Sequence, residues 1–234
     1  MSHLITKTIK SVLLPMVLLS ASGLVHAHKA GDTIVRAGYA QVNPDTSSST
    51  VLGVEGSGVD VKNNAQLGLT GTYMVTDNFG IEVLAATPFQ HDIVATGAIS
   101  SFGKIGSTKH LPPTFSAQYY FTGSDSKINP YVGIGVNYTT FFSSKTTQNL
   151  NDAVAAVTGL TVTSTSMKLD DSFGVAFEAG VDFNLDNNWV LNVSVWKADI
   201  DTTAKINVNN GAANARVDVN IDPIVYMIGV GYTF

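Results

Sequence analysis

The chain has 234 residues, a formal net charge of −5, only 13% charged residues and no cysteine. The missing thiols exclude a disulfide framework and a thiolate metal site. Mild acidity without a basic stripe excludes a nucleic-acid surface. No apolar run after the first 27 residues approaches the roughly 20 residues of a spanning helix, so a helical membrane protein is excluded as well.

The chain opens with Lys7 and Lys10, an apolar stretch from Ser11 to Val25, and Val25-His26-Ala27. A basic segment, a short oily core and a small residue before the break predict a secretory signal peptide over residues 1–27. The oily core is too short to span a membrane, and Pro15 interrupts it. Residues 28–234 are then the mature domain.

Eight alternating segments follow, at Thr33 to Val42, Ala65 to Val75, Phe79 to Thr87, Leu111 to Phe121, Pro130 to Phe142, Lys168 to Phe183, Trp189 to Ile200, and Arg216 to Phe234. Three short turns, at Thr76 to Asn78, Thr122 to Asn129 and Asn184 to Asn188, are rich in Gly, Asp and Asn. Four long connections alternate with them: Asn43 to Asn64, Pro88 to His110, Ser143 to Met167, and Asp201 to Ala215. This pattern predicts an all-β fold, an eight-stranded antiparallel up-and-down transmembrane β-barrel with four extracellular loops and short periplasmic turns.

Parity within each strand separates two faces. Val35, Leu69, Ile81, Phe115, Ile134, Phe177 and Val193 lie on oily faces, and Arg36, Thr70, Glu82, Ser116, Asn137, Glu178 and Asn192 on the opposite ones. Oily outside and polar inside inverts a soluble barrel and predicts a lipid solvent. The last strand repeats the pattern in Ile224, Tyr226, Ile228, Val230, Tyr232 and the terminal Phe234. Tyr73, Phe79, Tyr119, Phe121, Phe183, Trp189, Tyr232 and Phe234 share that oily face and cluster beside the short turns or the C-terminus, as an interfacial girdle does.

The segments Asn64-Ala-Gln-Leu-Gly-Leu-Thr70, Tyr73-Met-Val-Thr-Asp-Asn78, Glu82-Val-Leu-Ala-Ala-Thr-Pro-Phe89, His110-Leu-Pro-Pro-Thr114, Pro130-Tyr-Val-Gly-Ile-Gly-Val-Asn-Tyr-Thr-Thr-Phe-Phe142 and Ser194-Val-Trp-Lys-Ala-Asp-Ile-Asp-Thr-Thr203 resemble the outer membrane protein W family. The resemblance spans almost the whole mature chain and departs mainly in the loops at Asn43 to Asn64 and Ser143 to Ser166. It implies a Gram-negative outer-membrane location and a narrow, largely apolar channel through which small hydrophobic molecules pass. The expected partners are outer-membrane lipid, such solutes, and the barrel-assembly machinery through Phe234. No cofactor or metal is expected.

An eight-stranded barrel is about wide enough to be filled by side chains, so a general aqueous pore is not expected. Arg36, Glu82, Glu178 and Asp182 are assigned to a salt-bridged plug in the lumen, since buried charges need partners. Leu84 and Trp196 break the polar-inside pattern nearer the outer end, and predict a small oily pocket open to the outside. Space-filling by two bulky residues explains them equally well on the sequence alone, and the resemblance favours a ligand path. Pro88, Pro112 and Pro113 lack the N–H a ladder needs. They either merely end strands or mark a lateral gate beside Leu84.

Enzymatic readings have little support. His91 and His110 near the outer rim have no nucleophile motif around them, and a lone loop histidine is usually a surface group. Asp170-Asp171 and Asp199-Ile-Asp201 lack the ligand spacing of a calcium loop and are expected to be solvated strand ends. The alternative to a channel is a structural or surface-recognition barrel whose loops bind a phage, toxin or host molecule. In that loop region, Asn151 to Val157 predicts one or two helical turns, serving as lid or epitope.

Overall fold

The computed structural model describes residues 28–122 and 126–234. The predicted signal peptide, and residues 123–125 of one short turn, lie outside them. The strands are β1 (Thr33–Asn43), β2 (Ser47–Ser48), β3 (Ser57–Val61), β4 (Asn64–Met74), β5 (Phe79–Ala86), β6 (Phe89–Gly97), β7 (Lys104–Leu111), β8 (Thr114–Tyr120) and β9 (Ile128–Thr146). Helix α1 (Gln148–Thr158) precedes β10 (Thr165–Leu169), β11 (Ser172–Asn184), β12 (Trp189–Ala198), β13 (Asp201–Val208), β14 (Ala213–Asn220) and β15 (Ile224–Thr233).

Eight of these strands close a barrel in the order β1, β4, β5, β8, β9, β11, β12, β15, with β15 returning to β1 and every neighbour antiparallel. Closure removes the free edge that an open sheet would expose to lipid, where no water could satisfy it. Phe234 joins the seam: its N–H donates to the Thr33 carbonyl at 2.9 Å.

Parity sets what each face meets. Tyr39, Leu67, Ile81, Phe115, Ile134 and Ile228 are exposed on the outer wall, and Phe173 and Phe234 reach 71% exposure. In water such a surface would be an aggregation hazard, whereas in a bilayer it is the solvated face. At the periplasmic edge Tyr119 meets Phe121, and Tyr232 touches both Trp189 and Phe234, with centroids 4.9–5.6 Å apart. The short turn after β11 works because Asn187 and Asn188 adopt φ of 58° and 64°, a left-handed conformation that asparagine tolerates better than most residues.

The four long connections differ from simple loops. Pro88 to His110 contains most of the β6–β7 hairpin, and Asp201 to Ala215 contains β13 and the start of β14. Asn43 to Asn64 holds β2 and β3, and Ser143 to Met167 holds α1 and the start of β10. Two predicted strands are also divided. Arg216 to Phe234 breaks at Ile221–Pro223, where Pro223 has no N–H and Asp222 adopts φ +35°. Lys168 to Phe183 breaks at Asp170 and Asp171. At each break the chain passes into the barrel from an outer layer, in which β7 pairs with the upper part of β9, β6 with β7, β3 with β6, and β13 lies between β10 and β14.

Helix α1 caps this outer layer. The Thr147 N–H donates to the Ile105 carbonyl, and Asn149 Nδ2 donates to the carbonyls of Phe102 and Lys104, at the end of β7 furthest from the barrel. Its C-terminus stops on Gly159 at φ +71°, whose N–H donates to the Ala155 carbonyl. Leu150 and Val154 are buried with Ile93, Ile105, Ile206 and Val217 of the surrounding strands.

Candidate functional site

The lumen is layered. At the periplasmic end, Arg36 is 1% exposed and Asp182 is 0% exposed. Arg36 Nε donates to Asp182 Oδ1 at 3.0 Å, and Nη2 makes a second, short contact with Asp182 Oδ2. Its Nη1 reaches Thr72 Oγ1 at 2.8 Å and Glu82 Oε2 at 3.3 Å, and Nη2 also reaches Tyr120 Oη at 3.0 Å. His28 Nε2 and Asn192 Nδ2 fill the remaining positions on Asp182 at 3.0 and 2.8 Å. A two-pronged guanidinium–carboxylate pair with its other donors satisfied is the form in which buried charge is tolerated. Tyr120, Tyr131, Ile34, Met74 and Val190 pack around it. The result is a floor rather than a pore.

Glu178 is not part of this guanidinium cluster. Its Oε2 accepts from Trp196 Nε1 at 2.5 Å, one layer higher. Arg36, Glu82 and Asp182 form the floor, while Glu178 adjoins Glu82 and anchors the indole of Trp196. Gly133 makes room for it, since a Cβ there would overlap the Glu178 carboxylate.

Above the floor lies a small apolar compartment lined by Leu84, Ala86, Phe89, Pro112, Asn137, Trp196 and Val225 among others. Leu84 and Trp196 thus face the same space. A second apolar compartment lies in the outer layer, lined by Val61, Ile93, Ile105, Leu150, Ile206 and Val219 among others. Val42, His110 and Ile200 border both spaces, so the two adjoin at these residues. Strands of the outer layer continue above the oily pocket, where an opening to the outside was expected. Its apolar lining continues upward instead.

The barrel wall is interrupted beside the lower compartment. Strands β5 and β8 pair as far as Leu84 with Thr114, and pairing resumes only at Phe89 with His110 in the β6–β7 hairpin. Pro88 lies on one side of the interval and Pro112 and Pro113 on the other. Each side is bonded away from the other. Ala85 and Ala86 stay in register with Leu69 and Gly68 of β4, and the Thr87 N–H donates to the Leu67 carbonyl. Across the interval, Asn137 Nδ2 donates to the Pro112 carbonyl at 3.2 Å, and the Tyr138 N–H donates to the Pro113 carbonyl at 3.0 Å.

His91 and His110 are not surface loop groups. Both are buried on the adjacent, paired strands β6 and β7, with Nε2 atoms 2.9 Å apart. These residues lie in the outer layer, beyond the membrane-spanning strands. Burial, and secondarily the neighbouring His91, push His110 down to about 3. Burial also lowers His91, against the opposing pull of the Lys62 carbonyl and Asp92. Both imidazoles are neutral near pH 7. Periodicity could have found them: Phe89, His91, Ile93 and Ala95 form one buried every-second-residue row.

Among the described residues, three carboxylates that approach one another closely are Asp199, Asp201 and Asp222, at the outer rim. Asp222 Oδ1 accepts from the Ile200 N–H, and Asp170 Oδ1 from Lys205 Nζ. These are local contacts of exposed or half-buried strand ends.

Comparison with known proteins agrees with this architecture. The OmpW family model matches residues 29–234. The chain is 49% identical to outer membrane protein W of Vibrio cholerae over 92% of this chain and 94% of that one. It is 46% identical to outer membrane protein W of Escherichia coli over 91% and 93%. The crystal structure of outer membrane protein OprG from Pseudomonas aeruginosa superposes with a TM-score of 0.79 at 44% identity, covering 89% of this chain and 98% of that one. An eight-stranded barrel with an oily outer wall, matched over residues 29–234, is an outer-membrane protein, and the chain belongs to the OmpW family.

Proposed function

We propose that this barrel is a passive conduit for small hydrophobic molecules, which enter from outside, occupy the apolar compartments and leave sideways into the membrane beside Pro88, Pro112 and Pro113. The observation that carries this reading is the position of the wall interruption, level with the lower apolar compartment and above the charged floor. An apolar solute gains nothing by crossing Arg36 and Asp182, whereas lipid lies directly beyond the interrupted ladder. Leu84 and Trp196 act as walls of the path. Solute entering from outside passes the outer strands and α1, which line the upper compartment.

The barrel performs no catalysis in this reading. His91 and His110 bond to each other and to a backbone carbonyl, with no nucleophile between them. Its partners are the surrounding lipid, apolar solutes, and the barrel-assembly machinery acting on β15 and Phe234. A second reading keeps the outer layer as a recognition surface for a phage, toxin or host molecule. One observation favours it: Lys168, Lys205 and Arg216 stand directly opposite one another on β10, β13 and β14, all exposed. Like charges in one cross-strand row are unfavourable without an anionic partner, although Asp170 already offsets Lys205.

Whole-cell uptake across a lipopolysaccharide-bearing outer membrane tests the conduit, comparing a small apolar solute with a sugar of similar size. Apolar uptake without sugar uptake, lost in Leu84→Arg, is expected. Equal uptake of both solutes, or a Leu84→Arg barrel that is folded and fully active, would contradict the reading.

A further inference from the structure

We propose that the neck between the two compartments binds apolar molecules carrying a hydroxyl, with His110 Nδ1 accepting the hydroxyl hydrogen; this rests on the apolar-conduit reading above.

The partners of the two imidazoles fix which nitrogens carry protons. His91 Nδ1 lies against the Lys62 carbonyl in a short contact. A carbonyl only accepts, so Nδ1 is the protonated nitrogen of that neutral ring, and His91 Nε2 presents a lone pair. His110 Nε2 lies 2.9 Å from His91 Nε2 and must donate to it. The remaining nitrogen, His110 Nδ1, is therefore an acceptor. Although buried, it has no hydrogen-bond partner in the protein.

Other unpartnered buried side-chain atoms among the described residues belong to His28, Glu82, Gln118 and Glu178, in the floor and the layer directly above it. His110 Nδ1 stands apart from them in the outer layer. The ring is held by Phe89 and Phe141, whose centroids lie 5.5 and 5.8 Å away. His110 borders both compartments, as do Val42 and Ile200.

An unpaired acceptor in an apolar enclosure is unfavourable until a donor reaches it. An alkane cannot supply one. An alkanol can, and its chain fills the same apolar walls an alkane would. A sugar would bring several polar groups to walls that satisfy none of them, and a carboxylate would bring acceptors and charge. One donor on an oily body is the chemistry the neck complements.

The probes are 1-octanol and n-nonane, matched in length, added to the refolded barrel in lipid nanodiscs with 15N-labelled histidine. The expected result is that 1-octanol moves the His110 Nδ1 resonance towards that of a hydrogen-bonded acceptor, while n-nonane does not. Competition against one apolar fluorescent probe gives the two affinities, and their ratio should fall about tenfold in His110→Phe, the worth of one neutral hydrogen bond. Taking the ratio cancels differences in how the two probes partition into lipid. A resonance that answers both probes alike, one already hydrogen-bonded and unmoved by 1-octanol, or a ratio unchanged in His110→Phe overturns the proposal. Failure of both probes to bind removes the conduit reading, and this proposal with it. If His110→Phe does not fold, the resonance of the unaltered protein decides alone.

Discussion

The two ends of this barrel solve opposite problems with the same strands. Near the periplasm, the ladders run unbroken and the lumen is filled by Arg36, Asp182, Glu82 and their hydrogen-bonding neighbours. Beyond Leu84 the β5–β8 ladder is interrupted and the lumen is lined by aliphatic side chains and Trp196. The lower end uses buried charge, which is tolerable only when fully paired and is therefore intolerant of change. The upper end uses apolar surfaces without directional bonds, which can part and re-form around a guest at little loss. Rigidity below and adaptability above follow from the chemistry of the linings.

The largest effect expected from breaking this contrast is at the floor. Arg36→Ala leaves Asp182 buried without its cation and should destabilise the barrel by roughly 3–5 kcal/mol. Urea-dependent unfolding in lipid vesicles would measure it. Apolar uptake by the fraction that folds should persist, because the path does not cross the floor. Leu150→Ala removes packing under α1 and should cost about 2–5 kcal/mol locally. That loss should appear as faster hydrogen exchange in α1, with apolar uptake raised rather than lowered. An unchanged exchange rate would show that α1 does not hold the lid.

Smaller effects sharpen the comparison. Trp196→Phe keeps an aromatic wall but deprives Glu178 of its donor, at about 1–3 kcal/mol. Acid should act on the upper end. His110 is held near 3 when folded and returns to about 6.5 when unfolded, so between these values the unfolded state binds more protons. Stability of the β6–β7 hairpin should therefore be intact above about pH 6.5 and fall as the pH drops towards 3. Hydrogen exchange in residues 89–111 at pH 7.5 and pH 5 would show it, and equal protection at both would contradict the buried neutral pair.

Much of the barrel was legible because lipid and lumen impose a period of two. Phe115 against Ser116, or Val193 against Asn192, states which way each strand faces. The same period ran through Phe89, His91, Ile93 and Ala95, yet Pro88 and the glycines around this hairpin made it read as a loop. The division of Arg216 to Phe234 was written in the sequence: the apolar row moves from Val217, Val219 and Ile221 to Ile224, Tyr226 and Ile228 on crossing Pro223. Contacts across the lumen are less legible still. Arg36 meets Asp182 across strands far apart in sequence, which spacing does not reveal, whereas Glu178 with Trp196 and His91 with His110 belong to single hairpins and follow from register once those hairpins are recognised. Prolines were informative in position, and only the structure shows that Asn137 and Tyr138 draw one side of the interval towards β9.

The central claim is that solute leaves through the interrupted wall. Restoring the missing N–H donors in the triple variant Pro88→Thr, Pro112→Thr, Pro113→Thr tests it most directly, with whole-cell uptake of a small apolar solute as the readout. New ladder bonds should leave the barrel as stable or add up to about 1.5 kcal/mol for each bond formed. The account predicts a folded barrel with apolar uptake at least about tenfold lower, equivalent to a barrier higher by about 1.4 kcal/mol. A folded variant with its β5–β8 ladder continuous by hydrogen exchange and its uptake undiminished would contradict it.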